Sequence, residues 1–345
     1  MANVNAPTIR SLAAELGLSR ATVAEVLRGS RRFSAKTIAR VGEAARRAGY
    51  RRNPLVGAVM SEIRRSRTRN FRGVLAAIDL NRELRPAINR YDQLLLDGAQ
   101  RRATEMGFKI ETHPLAGRKL NFNRLDTILQ ARGIQGIFLF PALVEPDVTQ
   151  LDWSHFAGIY TDYSIHRPAL HAVCPDHSRA MFETLNRIGR NGYRRVGLFV
   201  SPEIDHRIQY HWSGAFLGYQ RVHPGVGRVP PLLANGVSRQ DFIAWFRRFQ
   251  PDVVLAHQTE VIEWMERCGA RVPASHGFVC LNTINQDRPT AGLDLQPGLI
   301  GARAVENLIA QVQRGEFGIP DHPSIVGIPA LWQDGPTYLP QSSAR

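Results

Sequence analysis

Ser19-Arg20-Ala21-Thr22, with Glu25 and Arg28 further along the chain, is a set of side chains suited to reading base-pair edges. At the start of a helix, Arg20 can donate twice to guanine O6 and N7, Ala21 can meet a thymine methyl, and Glu25 can accept from a cytosine N4 amine. Arg20 suits a phosphate equally well, and Glu25 suits a solvated pairing with Arg28. Ser19, Thr22, Ser34 and Thr37 carry short hydroxyls that fit phosphate oxygens and also fit helix caps, and the two roles can coexist. Arg31 and Arg32 are expected to face the DNA backbone, where they position without specifying sequence.

Other reactive patterns are weaker. There is no Gly-x-Ser-x-Gly elbow, no Gly-rich phosphate loop with a lysine, and no His-Glu-x-x-His. Asp205, His206 and His211 imitate part of a metal site, as do Cys174 and His177, but neither set supplies four convergent ligands in sequence. No metal, no cofactor and no catalytic residue is expected. Cys174, Cys268 and Cys280 are odd in number and scattered, which fits reduced thiols in a cytoplasmic protein. No run of about 18 apolar residues and no signal-peptide core occurs, so no membrane partner is expected.

The elements that would position the reader are compact. Leu12 and Leu16 give a first helix an apolar face, Gly17 ends it, and Ser19 caps a second helix buried through Val23, Val26 and Leu27. Ser34 caps a third helix carrying Ile38, Val41 and Ala45. Three such helices make a helix-turn-helix domain over residues 1–52. Charge agrees with that placement. Residues 1–70 hold 15 Lys+Arg and 4 Asp+Glu, a net of +11 within a chain whose formal total is +14. A basic head on a near-neutral body implies a dedicated polyanion contact.

From Gly73 onward apolar strands alternate with amphipathic helices: strand 74–78, helix 91–106, strand 108–112, helix 122–131, then strands 136–140 and 157–160. A second run follows, with helices 178–190, 209–221, 239–249 and 259–267 between strands 196–200, 252–256 and 277–281. Repeated β-α-β order means parallel sheets flanked by helices, and about 250 residues exceed one comfortable sheet. The body is therefore read as two similar subdomains with a ligand cleft at their strand ends. Asp79 and Asn81, at the end of the first strand, lie at that cleft or cap its loop. Asp176 caps the helix that follows it or reaches the pocket.

Thr8-Ile9, Leu12-Ala13, Gly17-Leu18-Ser19, Ala21-Thr22-Val23, Val26-Leu27, Gly29, Ser34, Thr37, Gly49-Tyr50 and Asn53-Pro54-Leu55 stand at a spacing that resembles the lactose-repressor (LacI/GalR) family of bacterial regulators. The resemblance implies a helix-turn-helix domain, a hinge helix and linker over 53–71, and a periplasmic-binding-protein-like core over 72–345. In that core, 72–165 plus 296–324 form the first subdomain and 166–295 plus 325–340 the second. Asn53, Val59 and Met60 fall in the hinge, with Val59 where a leucine would wedge into the minor groove. Ser61 to Arg72 is longer and more basic than the usual linker, either an extended hinge helix or a charged tether. Such a short helix is marginal alone and forms when packed against a twin and DNA.

The same resemblance implies a homodimer on a pseudo-palindromic operator of double-stranded DNA, paired through helix 91–106 and the segment around 260–268. It implies a small polar effector, a sugar or derivative, in the cleft. Asp162 falls on a carboxylate that holds sugar hydroxyls, Gln296 on a pocket amide and Tyr91 on a stacking aromatic. His211 stands where an arginine would grip the ligand, His257 where an asparagine would, and Asn282 where an aspartate would. The function implied is a sequence-specific regulator, most simply a repressor. The competing class is a sugar-modifying enzyme or carrier with an appended DNA module, which the missing catalytic motifs argue against.

Overall fold

The structure, a computed structural model, describes residues 9–27, 30, 32–48, 72–81, 89–114, 121–143, 145, 147–165, 167–223, 227–233 and 239–340. The chain divides into two compact units, Met1–Phe71 and Arg72–Arg345. The hinge segment 53–71, with Asn53, Val59 and Met60, lies outside the described residues, as do Arg28 and Arg31.

The first unit has three helices, α1 (Ile9–Leu16), α2 (Arg20–Leu27) and α3 (Ala35–Arg47). Leu12 and Ala13 of α1, Val23 and Val26 of α2, and Val41, Ala44 and Ala45 of α3 bury one small core. Gly17 takes φ +62°, the left-handed conformation that lets α1 stop and α2 turn away at once. α3 is tied back to α1 by Arg47 on Glu15 at 2.6 Å and by Arg40 donating to the Leu16 carbonyl.

The second unit is built on two sheets. The first contains β1 (Gly73–Asp79), β2 (Phe108–Pro114), β3 (Gly136–Leu139), β4 (Ala157–Tyr160), β5 (His171–Pro175) and β10 (Ile325–Ile328), all parallel, in the order β10-β5-β4-β3-β1-β2. The second contains β6 (Val196–Phe199), β7 (Val253–Ala256), β8 (Gly277–Cys280) and β9 (Gly292–Asp294), parallel, with β11 (Leu331–Gln333) antiparallel on the β9 edge. Helices α4 (Arg90–Glu105), α5 (Phe122–Ala131), α6 (His177–Arg190), α7 (Pro202–Arg207), α8 (His211–Val222), α9 (Arg239–Phe249), α10 (Val261–Arg267) and α11 (Pro297–Arg314) run between the strands. Leu198, Val253 and Val279 are fully or almost fully buried, as parallel strands covered on both faces require.

The chain passes between sheets three times, and two of these passages differ from the expected positions. The first was placed near 165, but β5 still pairs with β4 (Ile159 opposite His171), so the passage comes after Pro175. Ala172, Val173 and Cys174 are buried, and between β4 and β10 they complete the first sheet. The third was placed near 325, but β10 pairs with β5, and the chain leaves only after Ile328. The second passage follows Asp294. It lets α11 return onto α4, where glycine permits backbones to touch: a Cβ at Gly98 would collide with the Gly298 carbonyl, and one at Gly301 with that of Leu95.

Candidate functional site

The first unit presents two helix starts of the same design. The Thr22 N–H donates to Ser19 Oγ at 3.0 Å, and the two hydroxyls lie 2.9 Å apart. The Thr37 N–H donates to Ser34 Oγ at 3.3 Å, again with paired hydroxyls at 2.9 Å. Ser19 and Ser34 thus fill the capping role, and the hydroxyl pairs stay at the surface. Arg20 is exposed at the first position of α2, and Glu25 is half-buried on the same helix. A basic arginine and hydroxyl-tipped helix starts are the groups that meet phosphate and base edges.

In the second unit the chemistry gathers at the carboxyl ends of the strands, where parallel α/β sheets place their ligands. Asp162 follows β4 and is buried. Its Oδ1 accepts the Tyr163 N–H at 2.7 Å, and its Oδ2 lies 3.2 Å from Arg207 Nη1 of α7. Asp162 belongs to the first sheet and Arg207 to the second, so this ion pair bridges the cleft. Burial pushes the Asp162 carboxyl up, with the Arg207 guanidinium opposing. A second bridge runs from the Tyr91 N–H of α4 to Asn285 Oδ1, in the loop after β8, at 3.0 Å. The Tyr91 phenol is held well above its ordinary range by burial first and by the Asp162 charge second.

Beside the ion pair is a connected set of rings. Tyr163 and His211 are 4.6 Å apart between centroids, Tyr163 and His177 5.9 Å, His177 and Trp212 4.6 Å, and Trp212 and His257 6.3 Å. His211 Nδ1 is satisfied by Ser178 Oγ at 2.8 Å. By contrast His177 Nδ1, Trp212 Nε1 and His257 Nε2 are buried without a hydrogen-bond partner, as are Gln258 Oε1 and Asp205 Oδ2. Burial lowers the His177 imidazole well below its ordinary value, reinforced by His257, His211 and Arg207. Burial, then Arg207, lowers His257 to about 4. Both rings are neutral at pH 7.

The remaining expected residues are placed as follows. Asp79 Oδ1 accepts the Asn81 N–H, and Asn81 bonds both Pro141 and Leu143, so Asn81 ties the exits of β1 and β3. Asn282 Oδ1 accepts the Ile284 N–H within its own loop. Gln296 sits at the start of α11 with φ +55° and donates Nε2 to the Pro329 carbonyl at 2.6 Å, bracing the second passage against the third. Asp176 caps α6 through the Arg179 N–H at 3.0 Å. Among the described residues no group of three His, Cys, Asp or Glu is arranged to hold a metal, and no helix is long and apolar enough to cross a membrane.

The structure thus brings Asp162, His211 and His257 into one neighbourhood, with Tyr91 at its edge, while Gln296 bonds the Pro329 carbonyl and Asn282 its own loop. Sequence reasoning missed Arg207, Tyr163, Trp212 and Asn285, and knew His177 only as half of a doubtful metal pair. One signal was available for Arg207. An arginine was expected at position 211, and Arg207, four residues earlier, is the one that reaches Asp162.

No family model matches the sequence, and no curated protein matches it. Solved structures do. A transcriptional regulator CelR in complex with cellobiose is 18% identical and covers 96% of this chain and 99% of its own, with a TM-score of 0.56. The lac repressor dimer bound to operator and the anti-inducer ONPF is 14% identical at the same coverages, with a TM-score of 0.55. A LacI-family transcriptional regulator from Silicibacter pomeroyi is 21% identical, again over 96% and 99%, with a TM-score of 0.52. The chain therefore has the fold of LacI-type regulators: a helix-turn-helix unit followed by a two-lobed, periplasmic-binding-protein-like core of parallel sheets flanked by helices.

Proposed function

We propose that this chain is a sequence-specific DNA-binding transcriptional regulator of the LacI kind, most simply a repressor, controlled by a small polar ligand between the lobes of its larger unit. The observation that carries the reading is the cleft. Residues from both sheets converge there, through Asp162 with Arg207 and Tyr91 with Asn285, and buried polar atoms are left without partners, in a chain that begins with a basic helix-turn-helix unit. The likeness to regulators solved with an operator and with cellobiose supports both halves.

In this reading Ser19, Arg20, Ala21, Thr22, Glu25, Arg28, Ser34 and Thr37 meet the operator, and Asn53, Val59 and Met60 belong to a hinge that reaches the minor groove. Asp79, Tyr91, Asp162, His211, His257, Asn282 and Gln296 surround the effector, a carbohydrate or derivative, and Arg207 supplies the guanidinium. The chain works in the cytoplasm as a homodimer on a pseudo-palindromic site, without cofactor, metal or catalysis. The effector acts only through unequal affinity for the two states of the cleft, a coupling of about 1–3 kcal/mol.

The test is selection of genomic fragments by the purified full-length protein at physiological ionic strength, followed by anisotropy titrations on the enriched duplexes. The expected result is an enriched inverted repeat whose affinity falls steeply with salt. Equal affinity for enriched and random DNA would refute the proposal.

A further inference from the structure

The three unpartnered ring nitrogens and Arg207 share a property that the expected sugar contacts do not explain. Trp212 Nε1 can only donate. His177 Nδ1 and His257 Nε2 have no partner in the protein, and each presents an N–H in the tautomer that protonates it. Arg207 has five donors, and among the described residues its guanidinium has one carboxylate contact, Asp162. His177 and Trp212 are in ring contact, and Trp212 and His257 are the next pair along the same row. His177 is 4% exposed and Trp212 fully buried, so leaving these N–H groups unmade is costly. The unpartnered acceptors, Gln258 Oε1 and Asp205 Oδ2, suit hydroxyl hydrogens instead.

We propose that the effector is a polyhydroxylated acid, whose carboxylate or phosphate is received by Arg207, Trp212, His177 and His257 and whose hydroxyls meet Asp205 and Gln258. The proposal rests on the cleft being the effector site. An anion can take this place because Asp162, whose carboxyl burial already pushes up, can neutralise by taking a proton when the guanidinium turns to the ligand. Asp162 faces Arg207 through one oxygen at 3.2 Å, while its other oxygen remains on the Tyr163 N–H. A ligand anion that takes over the guanidinium adds the indole and imidazole donors, which Asp162 leaves unused. A neutral sugar can satisfy the same N–H groups through hydroxyl oxygens but brings no charge to match Arg207. Hydrogen bonds in which one partner is ionised are roughly twice as strong as neutral ones, and that difference sets the preference.

The test uses the full-length protein in isothermal titration with three acids, each against its uncharged parent: D-galacturonate against D-galactose, D-gluconate against D-glucitol, and D-glucose 6-phosphate against D-glucose. The expected result is that at least one acid binds at least about tenfold tighter than its parent. The first two pairs against the third separate carboxylate from phosphate. Arg207→Gln removes the charge, and Trp212→Phe keeps the ring and removes the N–H. Each is expected to collapse the acid preference to within about threefold, with folding checked by circular dichroism. Uncharged parents binding as tightly as the acids, absence of binding throughout both series, or a preference that survives both variants would each overturn the inference. Operator binding is read separately. Acid binding without any specific DNA binding would sink the regulator reading and leave this one standing, and release of DNA by a neutral sugar alone would do the reverse.

Discussion

The ion pair across the cleft makes an asymmetric prediction. Two unit charges 3.2 Å apart attract by about 5 kcal/mol at an effective dielectric constant near 20. Against this stands desolvation, several kcal/mol for a buried carboxylate. Asp162 is 8% exposed, and its carboxyl is held above its ordinary value in spite of Arg207, so burial outweighs the pairing. Asp162→Asn keeps an oxygen for the Tyr163 N–H and removes the buried charge. It is expected to change stability at pH 7 by no more than about 1 kcal/mol, in either direction. Arg207→Gln leaves that carboxylate buried and unpaired. It is expected to cost about 2–3 kcal/mol, less than a fully buried pair would, because the Arg207 side chain is 28% exposed. The double variant should recover most of the loss. Equilibrium urea unfolding of the full-length protein followed by tryptophan fluorescence reads this directly, since Trp153, Trp212, Trp245, Trp264 and Trp332 all lie in the second unit. Asp162→Asn costing as much as Arg207→Gln would show that attraction, not burial, governs the pair, and the reasoning would fail.

Three further outcomes are expected. His257 is lowered from 6.5 to about 4, by burial and then by Arg207, so its folded form binds fewer protons than its unfolded form between those values. The stability it contributes is complete above pH 6.5 and lost as pH falls toward 4, by at most roughly 3 kcal/mol. His177, His211 and Arg207 lie within electrostatic reach of one another, and Asp162, raised rather than lowered, acts in the opposite sense. The measurement is therefore the difference between wild type and His257→Gln in urea titrations at pH 7 and pH 5, and an unchanged acid limb would contradict it. Gly301→Ala, whose Cβ meets the Leu95 carbonyl, is expected to cost about 1–3 kcal/mol, whereas Gly214→Ala in α8, with open space around it, should be neutral or slightly stabilising; equal thermal midpoints for both would remove the claim of backbone contact. Arg20→Ala should relax preference at one base per half-site by about 1–3 kcal/mol in competition binding, and uniform weakening across duplexes would make Arg20 a phosphate contact.

What could be read in advance followed the range of the interactions. The three N-terminal helices rest on local signals, Gly17 between two apolar stripes and Ser19 and Ser34 at helix starts, and they lie where those signals put them. Most helices of the larger unit were legible for the same reason: α5 and α9 coincide with their expected spans, and α6 starts one residue before its own. The short strands were not. β9 and β11 have three residues each and acquire their identity from partners elsewhere in the chain. β5 looked like the opening of the second lobe because it precedes α6 with no break in pattern, and only its pairing with β4 and β10 assigns it to the first. The displaced arginine was hidden by backbone shape. Gln209 and Tyr210 adopt positive φ between α7 and α8, so residues 207 and 211 are not successive turns of one helix. Composition gives no hint of such a break, since neither residue is glycine or asparagine.

The bridges across the cleft constrain how a ligand can act. Asp162 with Arg207 and Asn285 with Tyr91 join the lobes using the protein's own groups, and Gln296 braces the passages behind them. Under the proposed function, an effector that displaces one of these bonds has a gross contact energy that overstates its affinity by the strength of the bond it replaces. The exchange works in its favour at groups the protein leaves unsatisfied, which among the described residues include the remaining Arg207 donors, the indole and imidazole nitrogens of Trp212, His177 and His257 and the oxygens of Gln258 and Asp205. Under the proposed function those groups, the Arg207 guanidinium among them, carry the differential affinity by which an effector would shift the lobes.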